Sequence, residues 1–422
     1  MFRSHQPDQQ FLFPPSPRDW LPDNHLVYFI SDAVDALDLR CLKKKYRSSG
    51  KGNLPYSPEM LLKVVILGYC SSVFSSRKLA KATEENIAFR MLVGDQIPNH
   101  RTICRFRERH LEEFEKLFVQ VIQLAQENGL VKMGMLAIDG SKVKANASKH
   151  KAMSYERMQT EEARLRKEIR ELTKKAAEID REEDRLYGDA RGDEIPAELC
   201  RRETRKQKIQ EAKQRLEGRK RIEAAEQGKD PGSAQPEPKD QENFTDADSR
   251  IMKTGSGNFE QCYNAQIAVD EENQIIVAAE IVQAASDCHQ LIPTLEAAIN
   301  HTGKEPKSAL ADAGYRSERN FQALEDKDIR GFVALGRERT ESKPVRTEMP
   351  ATARMQRRVK GPRGRKIYAM RKSIVEPVFG WIKNVMGFRH FSLRGLRKVT
   401  GEWKLVCLCL NLKRLQGRMQ CG

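Results

Sequence analysis

The spacing of apolar positions changes character along the chain, and each change predicts an element. From Tyr28 to about Leu130 the apolar residues recur every three to four positions, which predicts helices. Leu61, Leu62, Val65, Ile66 and Tyr69 form one stripe behind Tyr56–Ser57–Pro58–Glu59, where Ser57 can cap and Pro58 can fill the first turn. Ser75–Ser76–Arg77–Lys78–Leu79–Ala80 reads as a second capped start. A third helix, after Pro98–Asn99, places Arg101, Arg105 and Arg109 on one face, away from Ile103 and Phe106. Short capped helices ending in an arginine-studded one suit a helix-turn-helix-like DNA binder, or an exposed basic helix packed on a bundle. Ahead of them, residues 1–25 are rich in Pro, Gln and Asp, with Phe11, Phe13 and Trp20 as candidate anchors.

The first strand is the apolar run Met135–Leu136–Ala137–Ile138, which meets an acid at Asp139. Lys142 and Lys144 then alternate with Val143 and Ala145, so the strand continues past the acid. Between 150 and 242 the rhythm becomes heptad: Met158, Leu165, Leu172, Ile179 and Leu186, with Ile169 and Ala176 between. A second helix carries Leu199, Ile209, Ala212, Leu216 and Ile222, and a Gly/Pro-rich linker runs from 228 to 238. The pair predicts an antiparallel helical hairpin inserted into the domain that Asp139 opens. Strand signals return in a hairpin, 261–270 and 274–282, followed by helix (about 288–300), strand (308–311), helix (about 317–326) and strand (331–334). The fold class is therefore α/β: a mixed sheet flanked by helices, preceded by an all-α N-terminal domain and interrupted by the hairpin insertion. The expected domains are 1–130 and 131–422, with 150–242 as the insertion.

Three carboxylates stand in marked places. Asp139 interrupts its strand; Asp312 ends the small apolar strand Ser308–Ala311 and precedes Ala313–Gly314–Tyr315; Glu376 lies on a helical stripe of Ile374, Val378, Trp381 and Ile382. They are 173 and 64 residues apart, so only the fold can unite them. United, they make a hard-oxygen site suited to Mg²⁺ or Mn²⁺. Two such ions can clamp the attacking and leaving oxygens of a phosphodiester displacement. Other acids read as structural: Asp287 and His289 as a helix cap, with an acid/base pair as the alternative, and Asp270 as a turn residue. Asp246, Asp248 and Arg250 form a cluster behind the insertion in which Arg250 is a candidate positioning residue.

Charge points the same way. The formal net charge is +16 and the sequence pI about 9.4, which favours a polyanionic partner. Residues 351–422 hold 18 Lys or Arg against two acids, Glu376 and Glu402. The segment 388–398, which includes Arg394, mixes aromatic and basic residues in the way of a DNA-backbone track, or of a solvated basic face. No run is apolar and long enough to predict a membrane span, and the N-terminus lacks the apolar core of a secretory signal. The nine cysteines form no CxxC pair, so a reducing cytoplasm is the expected compartment, with Cys407 and Cys409 as core residues.

These motifs together resemble the DDE-class transposases of bacterial insertion sequences, over roughly residues 40–415. Ser76–Arg77–Lys78–Leu79–Ala80 and His100–Arg107 are similar to that family's N-terminal DNA-binding region. Ile138–Asp139–Gly140–Ser141, Tyr263–Asn264–Ala265–Gln266, Ala311–Asp312–Ala313–Gly314–Tyr315 and Val375–Glu376–Pro377–Val378–Phe379–Gly380–Trp381–Ile382–Lys383 are similar to its strand and acid motifs. Tyr368, Arg371, Glu376 and Lys383 match its Tyr, Arg, Glu, Lys signature by type, although four residues rather than the usual three separate Arg371 from Glu376, so that Arg371 or Lys372 fills the arginine's place.

The resemblance implies a ribonuclease-H-like catalytic domain in which Asp139, Asp312 and Glu376 hold two Mg²⁺ (or Mn²⁺). It also implies that Tyr368, Arg371 and Lys383 orient phosphates, and that Arg101, Arg105, Arg109 and Arg394 meet DNA. The implied activity is cleavage and strand transfer of element ends into target double-stranded DNA, by a homodimer associated with the bacterial nucleoid. A metal-dependent nuclease of the same fold, a catalytically silent DNA-binding derivative, and a scaffold assembled through the heptads are the alternatives.

Overall fold

Among the described residues the elements between Leu26 and Glu127 are all helices, as the three-to-four-residue spacing predicts. The computed structural model describes residues 16–46, 54–94, 96–187, 197–226, 228–336 and 348–419. Phe11 and Phe13 lie outside the described residues, and Trp20 is 54% exposed, so it anchors no core. Contacts divide the chain into two compact units, residues 1–143 with 264–422, and residues 144–263.

The first unit opens with α1 (Leu26–Asp35), α2 (Arg40–Lys43), α3 (Pro58–Cys70), α4 (Ser76–Glu85), α5 (Ile87–Val93), α6 (His100–Arg109) and α7 (Leu111–Glu127). Ser57 accepts a hydrogen bond from the Met60 amide and Pro58 occupies the first turn of α3. Ser75 makes no side-chain cap on α4, whereas Asn86 and Asn99 cap α5 and α6. β1 (Met135–Lys144) follows and carries Asp139 at its middle, as the alternation past the acid predicts.

The second unit contains β2 (Ala152–Ser154), α8 (Tyr155–Tyr187), α9 (Ala197–Glu226), β3 (Gln241–Asn243) and β4 (Arg250–Lys253). α8 and α9 are antiparallel: Tyr155 Oη meets Glu217, Glu162 meets Gln210 and Glu168 meets Arg202. Met158 and Leu165 of the heptad seam pack on Ile209 and Ala212, so α9 of the same chain closes this part of the seam. Ile222 is 63% exposed and does not join it. The side chains of Ala176, Ile179, Leu186 and Leu199 lie outside the described residues. β2 pairs with β3 at the base of the hairpin. Asp246 accepts from Tyr263 Oη at 2.8 Å, and Arg250 donates to the Ala247 and Ser249 carbonyls, so this cluster is occupied with local structure.

β5 (Phe259–Asp270) begins in the second unit, where its first residues pair with β4, and runs on into the first. There follow β6 (Ile276–Val282), α10 (Leu291–Thr302), β7 (Ser308–Ala311), α11 (Glu318–Asp326), β8 (Arg330–Val333), α12 (Pro350–Lys360), α13 (Pro362–Gly380) and α14 (Leu396–Met419). In the first unit the strands lie in the order β6–β5–β1–β7–β8. β6 and β5 are antiparallel, and β1, β7 and β8 are parallel. Glu271 N bonds Met135 O and Ala145 N bonds Gln261 O, which makes β5 antiparallel to β1. The result is the expected mixed sheet flanked by helices.

The long helix α14 packs on α7, β6 and α3. It is buried over most of its length, with Trp403, Cys407 and Cys409 fully inaccessible. Asn411 satisfies both the amide and the carbonyl of Ile276, polar groups on the strand at this end of the order. Lys404, also buried, pairs with Glu115 of α7 at 2.7 Å and Glu280 of β6 at 3.0 Å. α14 therefore joins the N-terminal helices and the sheet into one unit.

His110, between α6 and α7, gives this unit a pH dependence. The ring is inaccessible, stacks on Tyr46 and leaves Nδ1 without a hydrogen bond. Burial lowers its pKa from 6.5 to about 4, with Lys45 and Arg109 adding to the effect and Glu113 opposing it. The unfolded chain therefore takes up a proton that the folded one refuses, and stability falls as pH drops below 6.5 toward 4. Between pH 7 and pH 5 this one group is expected to cost about 2 kcal/mol in urea unfolding. His110→Gln is expected to remove that part of the dependence; an identical pH slope in the variant would refute the assignment.

Candidate active site

The parallel register of β1 and β7 assembles the first two acids. Ile138 stands opposite Ala311, so Asp139 and Asp312 follow at the same level on neighbouring strands, with backbones roughly 5 Å apart. Asp139 is fixed by the Gly140 amide on its own Oδ1 at 2.8 Å. Asp312 caps the short turn Ala313–Tyr315 by accepting from the Gly314 amide at 2.8 Å. Next in the chain, Ser317 accepts from the Asn320 amide at 3.0 Å and caps α11.

Glu376 comes from α13, and Arg371 links it to the strand. Arg371 Nη1 is 3.2 Å from Asp139 Oδ2, and Nη2 is 3.9 Å from Glu376 Oε1. The guanidinium is nearly buried between the two carboxylates, and its Nε has no hydrogen-bond partner. Tyr368, one turn earlier on α13, lies close enough to Arg371 to help raise the pKa of the guanidinium. Of Arg371 and Lys372, it is thus Arg371 that reaches the acids. Glu376 itself is 57% exposed along its side chain.

Lys383 lies beyond the end of α13. Pro377 sits inside α13, which ends at Gly380, and the chain winds on as a π turn, Trp381–Val385. A π turn holds more residues per turn and so shifts the phase of every later side chain. Pro377 also has no amide to give the Ser373 carbonyl, and Gln274 Nε2 takes its place at 2.7 Å. Lys383 then donates to Ser141 Oγ on β1, two residues beyond Asp139. Burial lowers the lysine's pKa, and the Asp139 charge partly offsets this.

Asp139 carries the electrostatic signature of a functional acid. Burial pushes its pKa up from 3.8 to about 6; Arg371 and the Gly140 amide oppose the shift, while Asp312 and Asp287 reinforce it. The presence of Asp287 in this list is a correction. Asp287 caps no helix, since α10 starts only at Leu291. Its Oδ1 instead accepts from Lys142 Nζ at 3.0 Å, Asn264 Nδ2 at 2.6 Å and Gln266 Nε2 at 2.7 Å. Gln266 in turn accepts from the Tyr315 hydroxyl. This explains Gly140: a Cβ there would lie 2.3 Å from Gln266 Nε2 and 2.9 Å from Asp287 Oδ1. Asp270 is a turn residue as expected, accepting from the amides of Lys132, Met133 and Glu272.

The donor set is all carboxylate, the chemistry that suits a hard divalent cation. Among the described residues, however, no three His, Cys, Asp or Glu side chains already form a closed nest for an ion. The geometry gives the reason: Arg371 holds the gap between Asp139 and Glu376.

The basic residues read as DNA contacts lie elsewhere on the first unit. Arg101, Arg105 and Arg109 are all exposed on α6, with Arg109 5.1 Å from the centre of the Tyr46 ring. Arg107, on the opposite face, is buried and structural. It bonds the Phe74 carbonyl, Ser392 and Glu402. Arg394 is exposed, and its neighbours Ser392, Arg397 and Lys398 bond Arg107, Glu112 and Glu108. The 392–398 segment thus lies against α6 and α7. No helix among the described residues is long and apolar enough to cross a membrane.

Two family models match the chain. One, described as "Transposase domain (DUF772)", matches residues 15–109 and so spans α1 to α6. The other, described as "Transposase DDE domain", matches residues 233–412. Asp312, Tyr368, Arg371, Glu376 and Lys383 fall inside the second match, and Asp139 precedes it. No curated protein and no solved structure matches the chain.

Proposed function

The chain belongs to the insertion-sequence transposases of the DDE class, and from that premise we propose that it cleaves the ends of its own element and joins them to target DNA with the help of a divalent cation. The observation that carries this reading is the register that sets Asp139 beside Asp312 on parallel strands, with Arg371 and Lys383 reaching the same strand.

Asp139, Asp312 and Glu376 are the residues that would hold Mg²⁺ or Mn²⁺, two ions by the chemistry of such sites. When bound, the cations stabilise the negative charge that builds on the phosphorus oxygens. In the first step a water oxygen attacks the phosphate at the element end. The P–O3′ bond breaks, and the departing oxygen takes up a proton to become a free 3′-hydroxyl. In the second step that hydroxyl attacks a target phosphate, and a target 3′-oxygen leaves. No covalent intermediate with the protein is needed. Arg371, released from its carboxylates, and Lys383 are placed to neutralise the phosphate being transferred, and Tyr368 orients Arg371. Arg101, Arg105, Arg109 and Arg394 supply backbone contacts that position the duplex. Two element ends in one complex call for two copies of the chain, so a homodimer is the working assembly, acting on the nucleoid in the cytoplasm.

The test uses the full chain and labelled duplexes carrying the element's ends. With Mg²⁺ or Mn²⁺, nicked ends and joined products are expected, and EDTA is expected to abolish both. Nicking without joining would favour a nuclease of the same fold. Binding with neither product would leave a silent DNA-binding derivative.

A further inference from the structure

Asp287 lies outside the three acids, yet its surroundings tie it to them. Oδ1 takes all three of its donors, from Lys142, Asn264 and Gln266, the last two being fully buried. Oδ2 makes none of these bonds and faces the Asp312 turn: the position of a Cβ on Gly314 would be 3.5 Å from it and 3.0 Å from Asp312 Oδ1. The carboxylate therefore borders both acid-bearing segments, at Gly140 after Asp139 and at Gly314 after Asp312. The local charge is finely set. Asp139, Asp287, Asp312 and Glu376 stand against Lys142, Arg371 and Lys383, leaving one negative charge over.

We propose that Asp287 is a positioning residue of the cation site: it neutralises Lys142 and so keeps the pocket of Asp139 and Asp312 negative enough to draw in a divalent ion. This rests on the reading of Asp139 and Asp312 as cation ligands. Without the Asp287 charge, Lys142 becomes an unpaired cation on the strand that carries Asp139, and the surplus that attracts the metal disappears. Asparagine at 287 keeps an oxygen for the three donors and removes only the charge, which separates electrostatics from shape.

The test is calorimetric titration of the full chain with Mn²⁺. Asp287→Asn is expected to weaken binding about tenfold or more, the order that one unit charge exerts across several ångströms of protein. The metal-free unfolding midpoint is expected to stay near that of the parent. Lys142→Met in the Asp287→Asn background is expected to restore affinity to within about threefold, since it returns the local charge to its starting value. Unchanged affinity in Asp287→Asn would overturn the proposal. So would a double variant that stays as weak as the single one, because a purely structural role is not rescued by removing a charge. If Asp287→Asn fails to fold, Lys142→Met alone decides: tighter Mn²⁺ binding is expected, and no change overturns the proposal. Asp139→Asn, titrated alongside, separates the two readings. Loss of binding there with none in Asp287→Asn leaves the cation site standing without Asp287, whereas binding untouched by either removes both.

Discussion

Replacing Asp139 by asparagine is expected to abolish strand cleavage and, in the same protein, to make the metal-free fold more stable. The first effect follows from losing the carboxylate at the centre of β1, which burial holds at an elevated pKa. End-binding is expected to change by no more than a few-fold, since the arginines proposed to contact DNA are untouched. The second effect follows from linkage. A folded-state pKa of about 6 against 3.8 means that the folded chain binds the extra proton, so this group's contribution to stability declines as pH rises from 3.8 through 6. At pH 8 the carboxylate is charged and works against folding, and asparagine removes that charge. The gain is expected to be about 1–2 kcal/mol, less than the full shift implies because Arg371 loses a partner. Urea unfolding in EDTA and a cleavage assay with Mn²⁺ check the two halves. Retained cleavage would end the proposed role of Asp139, and a lowered unfolding midpoint would end the account of its electrostatics.

Glu402→Ala is expected to cause the largest loss of stability. Glu402 is fully buried and accepts from Tyr69 Oη at 3.1 Å, the Ser392 amide at 2.9 Å, the Leu393 amide at 3.0 Å and the Ser392 hydroxyl. Among the described residues it is also the only carboxylate paired with Arg107, itself buried, at 3.4 Å. Truncation strands a buried guanidinium and several donors, a change that costs about 3–5 kcal/mol. Glu402→Gln, which keeps one acceptor oxygen, is expected to cost less. An unfolding midpoint unmoved by Glu402→Ala would show that the network is dispensable.

The sequence made the scaffold easier to read than the centre. The limits of β7 follow from an apolar run closed by Asp312, and the start of α11 from the cap at Ser317, because both depend on residues a few positions away. The two acids on β1 and β7 carried the same local mark. Contacts between distant residues left none. Arg371 reaches Asp139 across 232 positions, and nothing in its own neighbourhood distinguishes it from Lys372. An aspartate after a serine and a few residues before a helix reads as a cap, so Asp287 was discounted; its role is visible only once Asn264 and Gln266 of β5 are beside it. Gly140 was the available hint, being a strand glycine with no turn to explain it. Four arginines on one short helix look alike in sequence, yet Arg107 is part of the core while Arg101, Arg105 and Arg109 face solvent.

The placement of α14 bears on how this protein is made. During synthesis α3, α7 and β6 leave the ribosome long before residues 396–419 do, and until then the apolar faces that α14 will cover are bare. The nascent chain must be shielded through that interval. A stop codon arising upstream of residue 396 would therefore yield a product for the cell's proteases, not a shortened DNA binder that competes with the parent.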